Sequence, residues 1–325
     1  MSEGDPIRLG TIPLVKRLEY LDVYLSCVDR GAERSDIEVA LSERKKAFEI
    51  EKDLALGRGR PYYSTIAKAG KLIEHCLNLS REMRYVDKVG TRSRLLDAGR
   101  RYLNADGIGR RRMFSESFSL AYPHMTALVS TLSSLEGGEM VLPQRNNPEF
   151  KPEVERYGLS IGQINFDTLR DLATVLGLVN WFAVGVGSER RQHVYASSRL
   201  LPEQVEPYLV RVRGDGEWWY TSQIEVDRVA FREALWEEYL SIARGVPGSP
   251  VFYSLVRERV CSTLRIRDDQ FDSEVLGMVD SDEVLHVIWS EGVLPYQQDT
   301  ASMLKSLPPK NEWGRYIVYL KIVRR

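Results

Sequence analysis

The stretch that decides the fold is residues 62–103, YYSTIAKAGKLIEHCLNLSREMRYVDKVGTRSRLLDAGRRYL. Its first part predicts a helix over 64–77, because apolar residues recur there at helical spacing. These positions are Ile66, Ala69, Ile73 and Leu77. Three elements are predicted to follow: a strand over 84–86, a basic turn over 88–91, and an extended run into a helix over 95–103.

Charge is distributed unevenly along the chain. The 325 residues include 45 Lys and Arg and 46 Asp and Glu, so the formal net charge is −1. Between residues 42 and 113, 18 basic residues stand against 9 acidic ones, a net of +9. The remainder holds 27 basic and 37 acidic residues, a net of −10. This asymmetry indicates an anionic partner for one part of the chain only.

Bulk features favour a cytoplasmic protein with no membrane partner. The N-terminus, MSEGDPIRLG, lacks the apolar region of a secretory signal. No apolar stretch approaches the roughly 20 residues that a membrane helix needs. The three cysteines, Cys27, Cys76 and Cys261, are odd in number and far apart, which argues against a disulfide framework or a paired-cysteine zinc site. Each is expected to be a small buried hydrophobe.

Helix-rich units, each closed by a pair of strands, recur at intervals of about 100 residues, within the usual range of domain sizes. The expected fold class is mainly α with small β-hairpins (α+β). The predicted intervals are a flexible lead (1–13), a first unit with a charged insert (14–104, insert 43–60), a second unit (105–198) beginning with a basic linker (104–112), a connector (199–226), and a third unit with a long loop (227–325, loop 291–313).

Within the later units, the patterns predict specific helices and strands. The predicted strand pairs are 179–184 with 191–196 and 284–290 with 314–323. The predicted helices of the third unit are 229–243, 251–264 and 269–278, the last capped by Asp268.

Basic side chains in and before the opening stretch are suitable phosphate ligands, since Lys offers a point charge and Arg a fork of donors. Lys68 and Lys71 are three apart and share a helix face. The candidate DNA-binding residues are Arg58, Arg60, Ser64, Lys68, Lys71, Arg84, Lys88, Arg92 and Arg94. The alternative interpretation is a solvated basic surface, and nothing in the stretch identifies a base sequence.

The corresponding helices of the other two units are acidic. The helix over 166–176 offers Asp167, Arg170 and Asp171, and the third unit's helix begins with Asp268 and Asp269. Carboxylates are repelled by a phosphate backbone and are stabilised at helix N-termini. These units are therefore expected to bind protein or to serve as scaffold. An aromatic cluster is a candidate partner-binding site or a structural packing group: Trp218, Trp219 and Tyr220.

No catalytic, metal-binding or cofactor-binding pattern is recognisable. The four histidines, at 75, 124, 193 and 286, are isolated in sequence, and no phosphate-binding GxxxxGK[ST] motif occurs. The acidic residues at 280, 282 and 283 are too few for a regular cation site. The expectation is a protein without catalytic residues, metal or cofactor.

The segment TRSRLLDAGRRYL, residues 91–103, resembles the end of a wing running into a closing helix. The stretch 62–103 as a whole is similar to winged-helix (wHTH) DNA-binding domains. The resemblance implies three tandem winged-helix-like domains, with the helix over 64–77 entering a DNA groove and the turn lying against the backbone. Tandem winged helices of this kind also resemble non-catalytic subunits of bacterial DNA-transaction and phage-defence complexes.

The expected function is therefore a non-catalytic subunit that binds double-stranded DNA through 42–113 and a protein partner, or a second copy, through 114–325. One alternative is an adaptor whose winged helices dock proteins without DNA. Another is a transcription regulator, which would need a symmetric dimer. An enzyme of unrecognised type stays open, because absent motifs do not prove absent chemistry.

Overall fold

The structure is a computed structural model. It describes residues 15, 17–55, 70–89, 92–122, 125, 128–129, 131–132, 135, 139–142, 163–184, 191–197, 199–201, 209–213, 216–221, 226–279, 281–291, 309–311 and 315–324. The fold is mixed α/β and mostly helical, with small antiparallel sheets. The predicted class, mainly helical with small β elements, is confirmed at this level.

The helices are α1 (Leu18–Asp29), α2 (Arg34–Ala55), α3 (Gly70–Glu82), α4 (Asp97–Asn104), α5 (Gly107–Ala121), α6 (Gln163–Val175), α7 (Arg228–Ile242), α8 (Tyr253–Leu264) and α9 (Asp268–Met278). The strands are β1 (Val86–Val89), β2 (Arg92–Leu95), β3 (Glu139–Leu142), β4 (Val179–Val184), β5 (Arg191–Ala196), β6 (Arg199–Leu201), β7 (Leu209–Arg213), β8 (Gly216–Thr221), β9 (Val251–Phe252), β10 (Leu285–Glu291) and β11 (Ile317–Arg324).

The chain divides into two compact units. Unit 1 comprises Met1–Ala47, Tyr63–Val179 and Ser198–Gln223, and unit 2 comprises Phe48–Tyr62, Asn180–Ser197 and Ile224–Arg325. These units differ from the three sequence intervals 14–104, 105–198 and 227–325. The division into three domains stays a prediction.

In unit 1 the opening stretch forms the predicted order of helix, strand, strand and helix, but the first strand is Val86–Val89 rather than 84–86, so Lys88 lies in a strand and not in the predicted turn over 88–91. α3 is followed by the antiparallel pair β1–β2, in which Val86 lies opposite Leu95 and Val89 opposite Arg92. α4 then closes the stretch. α3 runs to residue 82 rather than 77, because Leu79 and Met83 continue its buried face. Residues 64–69, the start of the predicted helix, lie outside the described residues.

The charged insert predicted over 43–60 is not separate from the preceding helix. α2 is one helix of 22 residues that extends to Ala55. Its early core positions, Ile37 and Leu41, are four apart and buried. The residues after them are strong helix formers, which lets the charged half continue the same helix. Residues 56–60 lie outside the described part.

The prediction of a linker over 104–112 is wrong, because α5 begins at Gly107. The side chain of Asp106 caps this helix, its Oδ1 accepting from Gly109 N at 2.7 Å. The guanidinium of Arg110 donates to the carbonyl oxygens of Leu103 and Ala105, at 2.7 and 3.0 Å. These contacts join α4 and α5 as a tight helical corner.

The connector predicted over 199–226 is also more ordered than expected. β6, β8 and β7 form a three-stranded antiparallel sheet in that order, and β7 contacts α5. A signal was available for β7, because residues 210–213, VRVR, alternate apolar and basic side chains as a half-buried strand does.

In unit 2, the last hundred residues follow the predicted elements closely. α7, α8 and α9 pack against a sheet of order β10–β11–β9, and β10 and β11 pair as predicted. Asp227 caps α7 through Val229 N at 2.8 Å. The start of the helix predicted over 251–264 is instead β9. The helix predicted over 269–278 begins at Asp268, and the Gln270 side chain accepts from Arg267 N. The shared core includes Phe231, Leu235, Tyr239, Val256, Val260, Phe271 and Leu320.

Candidate nucleic-acid interface

α3 presents a polar face opposite its buried one. Ile73, Cys76 and Leu79 are buried on the inner side. The exposed side carries Lys71, Glu74, Asn78, Arg81 and Glu82. Arg34 of α2 donates to Glu74 Oε1 at 2.6 Å, which compensates the charge of this acidic group. The remaining exposed groups of α3 are the two basic ones, Lys71 and Arg81, with the amide of Asn78 and the carboxylate of Glu82.

His75 adds no positive charge to this face at neutral pH. The side chain is half-buried, and burial lowers the pKa of the imidazole below its ordinary value. The nearby ammonium of Lys71 lowers it further. The basic character of α3 therefore comes from Lys71 and Arg81.

The C-terminal end of α3 is an exposed arginine in an unusual backbone conformation. Arg84 has φ 57°, in the left-handed region. Its N–H donates to Arg81 O at 2.9 Å, and the next N–H, of Tyr85, donates to Ser80 O at 2.7 Å. This is the Schellman arrangement, in which glycine is the usual residue at the left-handed position.

The hairpin β1–β2 adds further basic side chains. Arg92 and Arg94 are two apart on β2 and share the face opposite the buried Leu95. Their side chains are 81% and 66% exposed, and their carboxylate partners, in Glu33 and Asp87, lie only at 3.9 and 4.0 Å. Exposed pairs of this kind contribute about 0–1 kcal/mol. A phosphate group can therefore replace either carboxylate at small cost.

The core of unit 1 fixes the hairpin in place. Val86 and Leu95 are buried, and Tyr85 just before β1 is fully buried. The hydroxyls of Ser93 and Tyr24 are 3.2 Å apart, which joins β2 to α1. The face of β2 that carries Ser93 and Leu95 is thus held against the core, and Arg92 and Arg94 project from the opposite face.

The predicted DNA-binding residues are placed as follows. Those within the described residues are all exposed on α3, its end or the hairpin: Lys71, Arg84, Lys88, Arg92 and Arg94. Those outside the described residues are Arg58, Arg60, Ser64 and Lys68. No ion pair joins Lys71, Arg84 or Lys88 to a carboxylate anywhere in the part of the chain that the structure describes.

The sequence-based prediction missed Asn78 and Arg81. The helix was predicted to end at residue 77, which placed both outside it. The apolar residues Leu79 and Met83 were the available signal, since Leu79 follows Cys76 by three residues and Met83 follows Leu79 by four.

The predicted partner-binding residues lie in β8. Trp218, Trp219 and Tyr220 stand opposite Arg211, Val210 and Leu209 of β7. The structure describes the strand and its register but not these side chains. A role in partner binding stays a prediction.

In unit 2, acidic residues of α9 accept hydrogen bonds from side chains of the same unit. Asp272 accepts from Arg257 and from the hydroxyl of Tyr253, at 3.0 and 2.8 Å. The Asn180 side chain, in β4, donates to Asp268 Oδ1 at 2.9 Å. Asp269 accepts from Arg267 at 2.8 Å. The N-terminal half of α9 therefore has structural contacts and no basic surface.

Other kinds of site have no candidate among the described residues. Within the described ranges, no group of three or more His, Cys, Asp and Glu side chains is arranged to hold a metal ion. Of the helices that are described, none has both the length and the apolar character needed to cross a membrane. The three cysteines are free, Cys76 and Cys261 being buried and Cys27 half-buried.

Comparisons with known proteins found no matching family model, no matching curated protein and no matching solved structure.

Proposed function

We propose that this protein is a non-catalytic DNA-binding subunit that holds duplex by its phosphate backbone. The observation that carries the proposal is the exposed basic surface on three consecutive elements of unit 1: α3, its C-terminal turn and the hairpin β1–β2. These elements lie within the segment of net charge +9. The exposed ammonium and guanidinium groups are suited to phosphate contacts, which position a protein on DNA without reading sequence.

The order of elements supports an interpretation of both units as winged-helix-like. In unit 1 three helices precede the hairpin β1–β2, whose strands carry Lys88, Arg92 and Arg94. In unit 2 the order helix, strand, helix, helix, strand, strand builds a sheet of order β10–β11–β9. On this interpretation α3 enters a groove of DNA and the hairpin lies along the backbone. The three tandem domains of the sequence-based prediction remain part of the proposal.

A multi-protein setting is the second part of the proposal. The chain outside 42–113 has net charge −10, and α9 carries no basic face. Such surfaces do not favour a second DNA contact. They fit a subunit that holds a protein partner while unit 1 holds DNA, as the resemblance to bacterial DNA-transaction and antiviral-defence subunits implies.

A titration of the full chain with a generic duplex, followed by fluorescence anisotropy at rising salt, tests the proposal. The variant K71A/R92A/R94A removes three exposed charges from the surface. A matched control, R228A/R244A/R315A, removes three exposed charges from unit 2. The surface variant is expected to bind more weakly, with a salt slope smaller by about 0.9 for each phosphate group that the variant no longer neutralises. The control is expected to bind as the wild type does.

Two results would contradict the proposal. One is no binding by the wild-type chain at low salt. The other is an equal drop in affinity for the surface variant and the control, which would show that only net charge matters.

The alternatives predict different results in simple measurements. An adaptor would form a stable complex with a protein partner while binding duplex no better than an acidic control protein does. A dimeric regulator would show twice the chain mass of 37.2 kDa by light scattering.

A further inference from the structure

The end of α3 and the start of α4 meet at a single backbone group. Tyr85 O accepts from Leu96 N at 2.9 Å. The same oxygen lies against Gly99, so close that no side chain would fit between them. Arg84 precedes Tyr85 and Arg100 follows Gly99. The two arginines therefore flank the same contact, one on each element.

The exposed face of α4 is basic. Gly99 and Tyr102 are buried, and Arg100 and Arg101 are exposed. Among the residues that the structure describes, Arg100 forms an ion pair only with Asp97, at 3.3 Å, with side-chain exposures of 57% and 93%. Arg101 has no ion pair with any carboxylate among the residues that the structure describes.

Two neighbouring arginines of this corner have structural explanations. Arg110 donates to Leu103 O in α4 and to Ala105 O just after it, and lies 3.5 Å from Asp22, while Arg112 pairs with Glu116 at 3.2 Å. The N-terminus of α5 is already capped by a carboxylate, that of Asp106, and so offers no anion site. Arg111, in the first turns of α5, is exposed like Arg100 and Arg101, but only the latter two lie on α4, next to the end of α3.

We propose that the phosphate-binding surface continues from the C-terminal end of α3 onto α4, with Arg100 and Arg101 as phosphate ligands. The proposal rests on the proposed function of unit 1 and extends its contact with the DNA backbone. The chemistry is the bidentate recognition of phosphate by guanidinium groups. Asp97 competes for Arg100 only as an exposed pair on the same helix, and such pairs contribute little because solvent screens them.

A local alternative explains Arg101 without DNA. It lies in the last turn of α4, where a positive charge interacts favourably with the helix dipole. Removal of this effect would lower stability but would leave the salt dependence of DNA binding unchanged. The test therefore needs both readouts.

The experiment compares four variants of the full chain in the salt-dependent duplex titration, each checked by thermal unfolding. Arg101→Ala is expected to lower the salt slope by about 0.9, and R100A/R101A by about twice that. R100K/R101K keeps the charges and is expected to restore the slope. The control R228A/R244A removes two exposed charges from unit 2 and is expected to leave it unchanged.

Failure of this inference is distinguishable from failure of the proposed function. If the wild type binds duplex and K71A/R92A/R94A weakens it, but R100A/R101A has the slope of the control, α4 does not contact phosphate. If the wild type does not bind at low salt, the proposed function fails, and this inference fails with it.

Discussion

Gly99 shows how one residue sets the position of a helix. It lies inside α4, where glycine is normally unfavourable by about 1 kcal/mol relative to alanine. A Cβ atom at this position would meet Tyr85 O and would lie 2.8 Å from Leu95 Cδ1. The glycine therefore allows α4 to pack directly on the backbone that leads into the hairpin.

We expect Gly99→Ala to lower the free energy of unfolding by about 1–3 kcal/mol, the usual cost of overpacking a well-filled site. Urea denaturation followed by circular dichroism measures this change. Gly107→Ala is the matched control, because a Cβ at Gly107, in the first turn of α5, meets nothing within 4 Å. The control is expected to be neutral or slightly stabilising. Equal effects of the two substitutions would contradict the packing argument.

A substitution at Arg84 is expected to change stability and duplex binding in opposite directions. A left-handed backbone costs a residue with a Cβ atom roughly 1–2 kcal/mol, and the entropy of glycine in the unfolded chain offsets about half of that. Arg84→Gly is therefore expected to raise the free energy of unfolding by about 0.5–1 kcal/mol while weakening duplex binding. Thermal unfolding and the anisotropy titration measure the two effects.

Arg244 provides the control for this substitution. It is also exposed and also has positive φ, 53°, at the end of α7 in unit 2. Arg244→Gly is expected to stabilise to a similar extent and to leave duplex binding unchanged. The third arginine of this kind, Arg265, is unsuitable because its guanidinium lies over the ring of Tyr195. Tighter or unchanged binding by Arg84→Gly would argue against a phosphate contact at Arg84.

At this scale, the basic candidates of the opening stretch that the structure describes are all exposed. Arg170, which the sequence offered on a helix of the second unit, is buried, and the sequence did not show which charges are compensated. Lys71 and Arg94 follow from the helical and strand patterns alone. The pair of Arg34 with Glu74 joins residues 40 positions apart, and such a contact depends on how α2 packs against α3. Asn78 was missed for a local reason, the misplaced end of α3.

Among the elements, those with a strong apolar period were predicted best. The buried positions of α1, Leu18, Leu21, Leu25 and Val28, lie on one helical stripe of the sequence. The first turns of α5, residues 107–112, were missed because these residues, with two glycines and three arginines, have low helix propensity or no apolar period. The cap from Asp106 and the bonds from Arg110 decide that boundary.

The turn between α9 and β10 depends on one buried carboxylate. Asp282 accepts from Val284 N, Leu285 N and Arg232 Nε, at 2.9, 2.8 and 2.6 Å. Burial by itself would raise the pKa of Asp282, but these backbone donors and the guanidinium outweigh it and lower the pKa. The stabilisation is therefore present above the pKa of the unfolded chain, about 3.9, and is lost as pH falls through the lower folded value.

We expect Asp282→Asn to destabilise unit 2 by about 1–3 kcal/mol at pH 7, because hydrogen bonds to a charged acceptor are replaced by weaker ones or none. The difference from the wild type should shrink as the pH falls below about 3.9 and through the lower folded pKa, because the wild-type carboxylate then also becomes protonated. Denaturation at pH 7, 5 and 3 measures it. Glu283→Gln, at the exposed neighbouring position, should change stability by less than about 0.5 kcal/mol. A difference that is constant with pH would contradict the role of the Asp282 charge.

At the scale of the whole molecule, the two units differ less in their order of helices and strands than the parts of the sequence differ in charge. Both units contain helices followed by an antiparallel strand pair, yet the basic excess lies in the segment 42–113 and the acidic excess in the rest. Sequence composition was enough to show this separation. The two compact units were not predictable in the same way, because each is assembled from three separate segments of the chain.

Amide hydrogen exchange of the full chain, with and without duplex, tests this separation directly. We expect duplex to slow exchange over α3, β1–β2 and α4, because bound DNA suppresses local opening of the elements that it contacts. Exchange over α9 and β10–β11 should not change, since α9 offers no basic face. K71A/R92A/R94A should remove the protection at equal duplex concentration. Protection over α9 with no change over α3 would place the DNA on unit 2 and refute the assignment to unit 1.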